Sequence, residues 1–581
     1  MFLKYLYVIF LLTEPSYKFL LLFMLLSIPL LVAAHHFLKG KKEKLWSFLC
    51  AIPMVFFLLF YARNRITGYE DLTFRRLAAP GLIALIILLW GVLVFFKRSY
   101  KAYAVLVSIF SVFLLVLGLT ALAVLFERVY VGNHTHDGWE KSLEKTIDDL
   151  AVAYVLRDWK EYDYDALKEK YLPLAREAEK NRDKVAMIMA LYELRYELND
   201  AHISLRIKDT AAEKEALDRL AGNDYGFSMF RDEAGEFLAV LVEEDGEAAA
   251  AGILEGTVIT KWDGTAVSEA VKNVKCIDRN AFSYLENEQF FQPVFLAGQG
   301  GDTIQVTFLD KDMREQTVTL HANGSYRPRR TEAIDRIYCT HKLGTENYAT
   351  CMLNDHIGYL RITEESYLGD PPMDVIKAAL AGYSKKLYDD LNGKLEALKA
   401  QGMTALILDV RCNGGGYGFL TKAVVGLFTD QPQPCDVGYY ADNTYHTLSK
   451  PKEYGTGPWK DLPLAVLVNG DTCSAGDLMA YFLQSQCGAT LIGSSTTWGS
   501  AQSTGGMAYL TDGEFTLRIP IALSPTLEGE PAVDARGDRK ARFLPDVVLT
   551  YPPEDVLELF RDGGRDVELE KALEYVESMT R

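Results

Sequence analysis

The sequence predicts an α/β fold set behind an α-helical membrane region, with a helical lead-in and a β-rich module between the two. Three observations carry this reading. Four apolar runs crowd residues 1–130, short β-like runs separated by glycine and acidic turns occupy 222–322, and buried-type strands alternate with helices over 340–552. Alternation of that kind points to a mainly parallel sheet covered by helices. With 581 residues, the chain exceeds what one hydrophobic core serves, so several domains are expected.

The first region, 1–130, is read from its apolar runs at 17–37, 45–62, 79–96 and 102–126. Each approaches the roughly 20 residues that a helix needs to cross the hydrocarbon core. Polar breaks at 39–44, 63–76 and 97–101 separate them, and four successive spans do not fit a cleaved leader. Residues 1–13 are apolar too, but Lys4 and the Glu14-Pro15 break leave them too short to cross, so they read as interfacial. The first and third loops carry seven Lys/Arg, against four arginines in the second, which also holds Glu70 and Asp71. Placing the richer loops in the cytoplasm puts both termini outside. The expectation is an integral protein of the plasma (cytoplasmic) membrane, with the bilayer as a partner and the large C-terminal part extracytoplasmic.

Charge divides the chain in the same place. Residues 1–128 hold 14 Lys/Arg and 5 Asp/Glu of the 61 and 78 in the whole chain, leaving 47 basic against 73 acidic beyond them. So acidic a remainder offers no basic patch to phosphates and excludes nucleic acid as a partner. Of the 8 cysteines, Cys50 falls in an apolar run, and the seven others cannot all pair within one chain. None has CxxC or zinc-like spacing, so no metal is expected, and Cys412 and Cys473 read as small buried fillers.

The lead-in, 137–205, is helical: Leu143, Ile147, Leu150 and Tyr154 recur at helical spacing, Pro173 marks a boundary or kink, and a helix over 185–198 runs into Asn199, Asp200, Ala201 and His202. On its own this reads as a linker. The module 222–322 has β-like runs at 237–242, 258–262, 303–308 and 316–321. Its stretch from Gly246 through Gly252 and Gly256 to Gly264 looks like a PDZ-type module, which binds an extended peptide at a sheet edge. Gly226, Phe227, Ser228 and Met229 would form that edge. The alternative is a structural β-subdomain with an occluded groove.

Two strand-to-helix junctions in 340–552 carry chemistry. The first runs from Leu406 through Asp409 and Arg411 to Asn413, Gly414, Gly415 and Gly416. Three glycines after a buried strand let backbone N–H groups approach an anion. No Gly-Lys-Ser/Thr follows, which argues against nucleotide binding. The second runs from Val466 through Asn469 to Cys473, Ser474, Ala475 and Asp477. A helix beginning at Ser474 would set its positive end beside an exposed hydroxyl. On this motif alone, a helix N-cap is the simpler role for Ser474.

Together these pieces, with Gly358 to Ile362 and Ile492 to Gly499, resemble the family of C-terminal processing proteases, tricorn protease and interphotoreceptor retinoid-binding protein. The resemblance covers about 140–552 and implies an α/β serine peptidase domain at 340–552; residues 553–581 read as a helical tail. It implies Ser474 as nucleophile, with an oxyanion hole from the N–H of Ala475 and that of Gly415 or Gly416. One branch of the family places a lysine where this chain has Ser500, so a serine–lysine dyad is not expected. The tricorn-like branch takes a histidine from the lead-in, where His202 stands. That branch also has a serine before the histidine, here Ala201, and a glutamate near a closing Gly…Pro-Asp element. Asp534 is the best match for the acid, with Asp538 and Glu528 behind it, although a surface turn would explain Asp534 equally well.

The implied activity is peptide-bond hydrolysis in peptide or protein substrates through an acyl-enzyme, without metal or organic cofactor. The retinoid-binding relatives set the rival reading: an inactive peptide- or lipid-binding protein, or a sensor, on the same fold. Oligomeric state is left open.

Overall fold

The computed structural model describes residues 129–277, 285–338, 343–366, 374, 377–378, 381–434, 438–440, 445–447, 452–536 and 543–580. The four apolar runs expected to cross the bilayer lie outside them. Among the described residues, no helix is long and apolar enough to cross a membrane. The chain divides into two compact units, 1–131 with 441–446 and 505–507, and 132–440 with 447–504 and 508–581. The described part of the first consists of short strand segments, and the second carries the helices and the main sheets.

The lead-in forms helices α1 (Trp139–Ala153), α2 (Tyr164–Asn181) and α3 (Lys184–Glu197). Leu143, Ile147 and Leu150 bury one stripe of α1 at the spacing that makes a helix amphipathic. Asp163 and Asp183 cap α2 and α3, accepting the backbone N–H of Ala166 and Ala186 at 2.9 Å each. Pro173 lies inside α2, which runs on past it. After α3 the chain turns at Asn199 and Asp200 into β1 (Ser204–Ile207).

The β-rich module has a hairpin, β2 (Ser228–Arg231) with β3 (Phe237–Val240), and a four-stranded sheet built from β4 (Ile259–Trp262), β5 (Thr265–Ala266), β6 (Thr303–Leu309) and β7 (Glu315–His321). Helix α4 (Leu285–Leu296) packs on β2. Phe227, Phe230, Trp262, Phe291 and Phe308 share its core with Tyr551 and Phe560.

The α/β domain is built on a six-stranded sheet of β8 (Ala349–Met352), β9 (Ile357–Arg361), β10 (Ala405–Asp409), β11 (Leu464–Leu467), β12 (Thr490–Gly493) and β13 (Val547–Val548). Neighbours pair in that order, parallel throughout except for β8 against β9. Every residue of β10 and β11 is buried, as a central parallel strand covered on both faces requires. Leu406, Leu408 and Val466 point to one face, under α5 (Lys385–Ala400), α6 (Gly418–Phe428) and α7 (Ala475–Cys487). Ala405, Ile407, Ala465 and Leu467 point to the other, under α8 (Val567–Thr580), which contributes Ala572 and Val576. A fully buried Leu or Ile contributes about 1.5–3 kcal/mol. A further strand, Phe515–Leu523, pairs antiparallel with β1 and with Gly438–Tyr440.

Past the end of β10, the Arg411 side chain is wholly buried among three carboxylates. Its guanidinium reaches Asp409 at 2.7 Å, Asp566 at 2.8 Å and Glu568 at 3.1 Å. Glu568 also accepts Tyr551 at 2.6 Å and Ser494 at 2.8 Å. The start of α8 is thereby pinned to the strand that leads into the glycine loop.

Candidate active site

Ser474 and the glycine loop each sit where a parallel strand gives way to a helix, and hydrogen bonds lash the two junctions together. Thr472 Oγ1 donates to the Val410 carbonyl at 2.8 Å, and the Cys473 N–H to the Asn413 carbonyl at 2.9 Å. Ser474 has φ 59° and ψ −116°, a left-handed conformation that costs a non-glycine residue about 1–3 kcal/mol. Asp477 holds it there, one carboxylate oxygen accepting the Ser474 N–H at 2.8 Å and the other the Gly499 N–H at 2.9 Å. Burial pushes the Asp477 carboxyl well above its ordinary range, against the pull of Thr497 and of those backbone donors. Ser474 thus stands as the N-cap residue of α7.

It faces His202: Nε2 lies 3.0 Å from Ser474 Oγ. The other ring nitrogen, Nδ1, lies 2.6 Å from Ser500 Oγ, and Ser500 in turn donates to Asp200 Oδ1 at 2.7 Å. With its proton committed to Asp200, the Ser500 oxygen accepts Nδ1–H, which leaves Nε2 with a lone pair for the Ser474 hydroxyl. Asp200 is fixed by the Tyr154 hydroxyl at 2.6 Å and the His202 N–H at 2.8 Å. Trp498 meets the imidazole edge-on at 5.3 Å between centroids. Burial lowers the imidazole to about 4; Asp200 opposes that shift and Arg518 adds to it. The ring is therefore neutral near pH 7, the form that accepts a proton.

Asp534 is not on the imidazole. Its carboxylate accepts Gln502 Nε2 at 2.6 Å and the Ala501 N–H at 3.3 Å, because the turn it stands on packs against the backbone after Ser500. Burial raises its carboxyl, and Asp200 pushes it further. The buried carboxylate joined to the ring is instead Asp200, two residues before it.

The expected oxyanion donors divide as well. Gly415 gives its N–H to Asn413 Oδ1 at 2.8 Å, so that donor is spent within the loop. Among the described residues, the N–H groups of Gly416 and Ala475 make no hydrogen bond. Gly415 serves by close approach: at φ 76°, a Cβ there would stand 2.5 Å from Ser474 Cβ and 2.7 Å from the Cys473 carbonyl. At Gly416 it would stand 1.9 Å from the Glu365 carbonyl.

Gly226, Phe227, Ser228 and Met229 lie apart from this cluster and are all buried. Ser228 Oγ is hydrogen-bonded to Tyr326 at 2.7 Å, and β2 pairs with β3 alone in a two-stranded sheet. Among the described residues, no three His, Cys, Asp or Glu side chains converge as a metal would require.

Asp200, Ser500 and Tyr154 are the site residues that sequence reasoning did not assign. Asp200 stood within the lead-in motif, and its i, i+2 bond to the His202 N–H is an Asx turn, a local signal that was available. Ser500 stands where one branch of the resembling family has a lysine, but its role here was not legible, since its partners lie about 300 residues away (298 to His202 and 300 to Asp200).

Comparison with known proteins bears on the same segment. Residues 356–537 match the profile of peptidase family S41. Over 151 residues, the chain is 27% identical to the carboxy-terminal processing protease CtpA of Bacillus subtilis (strain 168). That alignment covers 26% of this chain and spans 31% of the length of the curated relative. Solved structures similar to the chain include mature CPAF (TM-score 0.46, 14% identity, 73% of this chain and 94% of that one). Another is the photosystem II D1 C-terminal processing protease (TM-score 0.32, 20% identity, 73% and 98%).

Proposed function

Taking residues 356–537 as a peptidase family S41 segment, we propose that the chain is a membrane-anchored serine endopeptidase acting on peptide or protein substrates. The observation that supports it above all is the 3.0 Å approach of His202 Nε2 to Ser474 Oγ. In the reaction, Ser474 Oγ attacks the scissile carbonyl while Nε2 takes its proton. The oxyanion is met by the N–H groups of Gly416 and Ala475, at the positive end of α7. The imidazolium, steadied by Asp200 through Ser500, returns the proton to the leaving amine. Water then cleaves the acyl-enzyme by the same route. Ser500 and Asp200 are positioning residues here, replacing Asp534 in that role.

Anchoring is supported by the four apolar runs within 1–128, and an extracytoplasmic catalytic part by their loop charges. A PDZ-like role for the β-rich module, if peptide is captured at Gly226 to Met229, requires α4 to move from β2. The test is labelling of the detergent-solubilised full chain with a fluorophosphonate probe. Labelling that disappears in Ser474→Ala is the expected result, and a wild-type chain that takes no label, with no peptide cleavage, defeats the reading.

A further inference from the structure

Behind the glycine loop lies an acid that peptide hydrolysis by Ser474 and His202 does not use. Glu365 is wholly buried, and it brackets the loop from both sides. Its N–H donates to the Gly415 carbonyl at 2.9 Å and its carbonyl accepts the Tyr417 N–H at 2.9 Å. Its Oε1 accepts Asn413 Nδ2 at 3.2 Å, and Asn413 Oδ1 holds the Gly415 N–H at 2.8 Å. Oε2 is buried and, among the described residues, has no partner.

We propose that Glu365 is a positioning residue for the oxyanion loop that works as the neutral acid, and that its ionisation disables the loop. The inference rests on the serine-peptidase reading. A buried carboxylate with one oxygen unmatched is costly, more so than an unmatched hydroxyl. The charges acting on it give no relief. Glu364, its neighbour in the chain, repels the ionised form, and from the Ser474 turn the Cys473 thiol interacts with it. The glycine loop offers an amide and backbone groups, and the buried cations of this sheet, Arg361 and Arg411, are engaged by Asp409. Ionised, Glu365 would set a negative charge behind the loop that must receive an oxyanion. Burial raises its carboxyl from 4.5 to about 8, with Asn413 and its own backbone N–H opposing.

The folded-state value lies above the ordinary one, so the fold favours the protonated form. That stabilisation is full below pH 4.5 and is lost as pH rises through about 8. Two measurements on the full chain in detergent test the proposal. With a fluorogenic peptide, wild-type kcat should fall about tenfold per pH unit on the alkaline side at nearly constant KM, and Glu365→Gln should abolish that limb. An unchanged alkaline limb in Glu365→Gln overturns the proposal, as does a folded Glu365→Gln inactive at every pH. Should the Gln variant not fold, Glu365→Met carries the same expectation for the limb. The second measurement needs no activity. In a Ser474→Ala background, the melting temperature of Glu365→Gln relative to its parent should rise with pH up to about 8 and then level off; a flat difference overturns the proposal. A wild-type chain that is neither active nor labelled defeats the peptidase reading by itself. An active chain whose alkaline limb survives in Glu365→Gln defeats only this inference.

Discussion

At the scale of single residues, His202 sets the protonation state on which the proposed reaction depends. An imidazole lowered to about 4 by burial stays neutral through the acidic range where an ordinary histidine gains a proton. The acid limb of kcat/KM should therefore lie near pH 4 rather than at the usual histidine value of about 6.5. A pH–rate profile on a peptide substrate checks this, and opening the site should move the limb upward. The same burial acts on stability in a stated direction. The folded value is depressed, so protonating His202 is unfavourable in the folded state, and stability is lost as pH falls from about 6.5 toward 4.

Among the elements, the question is which connection supplies the acid. The turn after α3 delivers Asp200 to Ser500 and His202, whereas the turn carrying Asp534 delivers a carboxylate to Gln502. Asp200→Asn should lower kcat by a factor of about 10²–10⁴, as loss of the orienting carboxylate does in other triads. Asp534→Asn should cost far less in kcat and show chiefly in thermal stability. Steady-state kinetics on the pair decides between them. This is also where the sequence was and was not informative. Both strand-to-helix junctions were legible because their signals are local: an apolar strand, glycines, a serine, then a helix. His202 was legible through the order of its motif. The relay behind it was not, because Ser500 meets residues about 300 positions earlier (200 and 202), and linear spacing carries no trace of that meeting. Asp534 has the right neighbours in the chain, but its carboxylate points the other way. Gly415 illustrates the same limit: its type was readable, while the use of its N–H depended on where the Asn413 side chain turned.

Across the molecule, buried charge holds distant segments of sequence together. Arg411, with no exposed surface, balances Asp409, Asp566 and Glu568. Arg411→Met would leave those carboxylates without their cation, and removing one partner of a buried pair costs about 3–5 kcal/mol. A fall in unfolding free energy of that size, with α8 the first segment to lose hydrogen-exchange protection, is the expected outcome. Lys160 plays a smaller version of this part, buried with its ammonium on the Asn199 carbonyl at 2.8 Å and countering the charge of Asp534.

The pinning of α8 has a consequence for how such a chain is born. A ribosome that has already made Ser474 has yet to make Asp566 and Glu568. Until they emerge, the guanidinium behind the glycine loop has Asp409 and no second anchor, and one face of the central sheet is bare. On the peptidase reading, the scaffold behind the glycine loop is therefore braced on both sides only after translation has passed the last of these anchors.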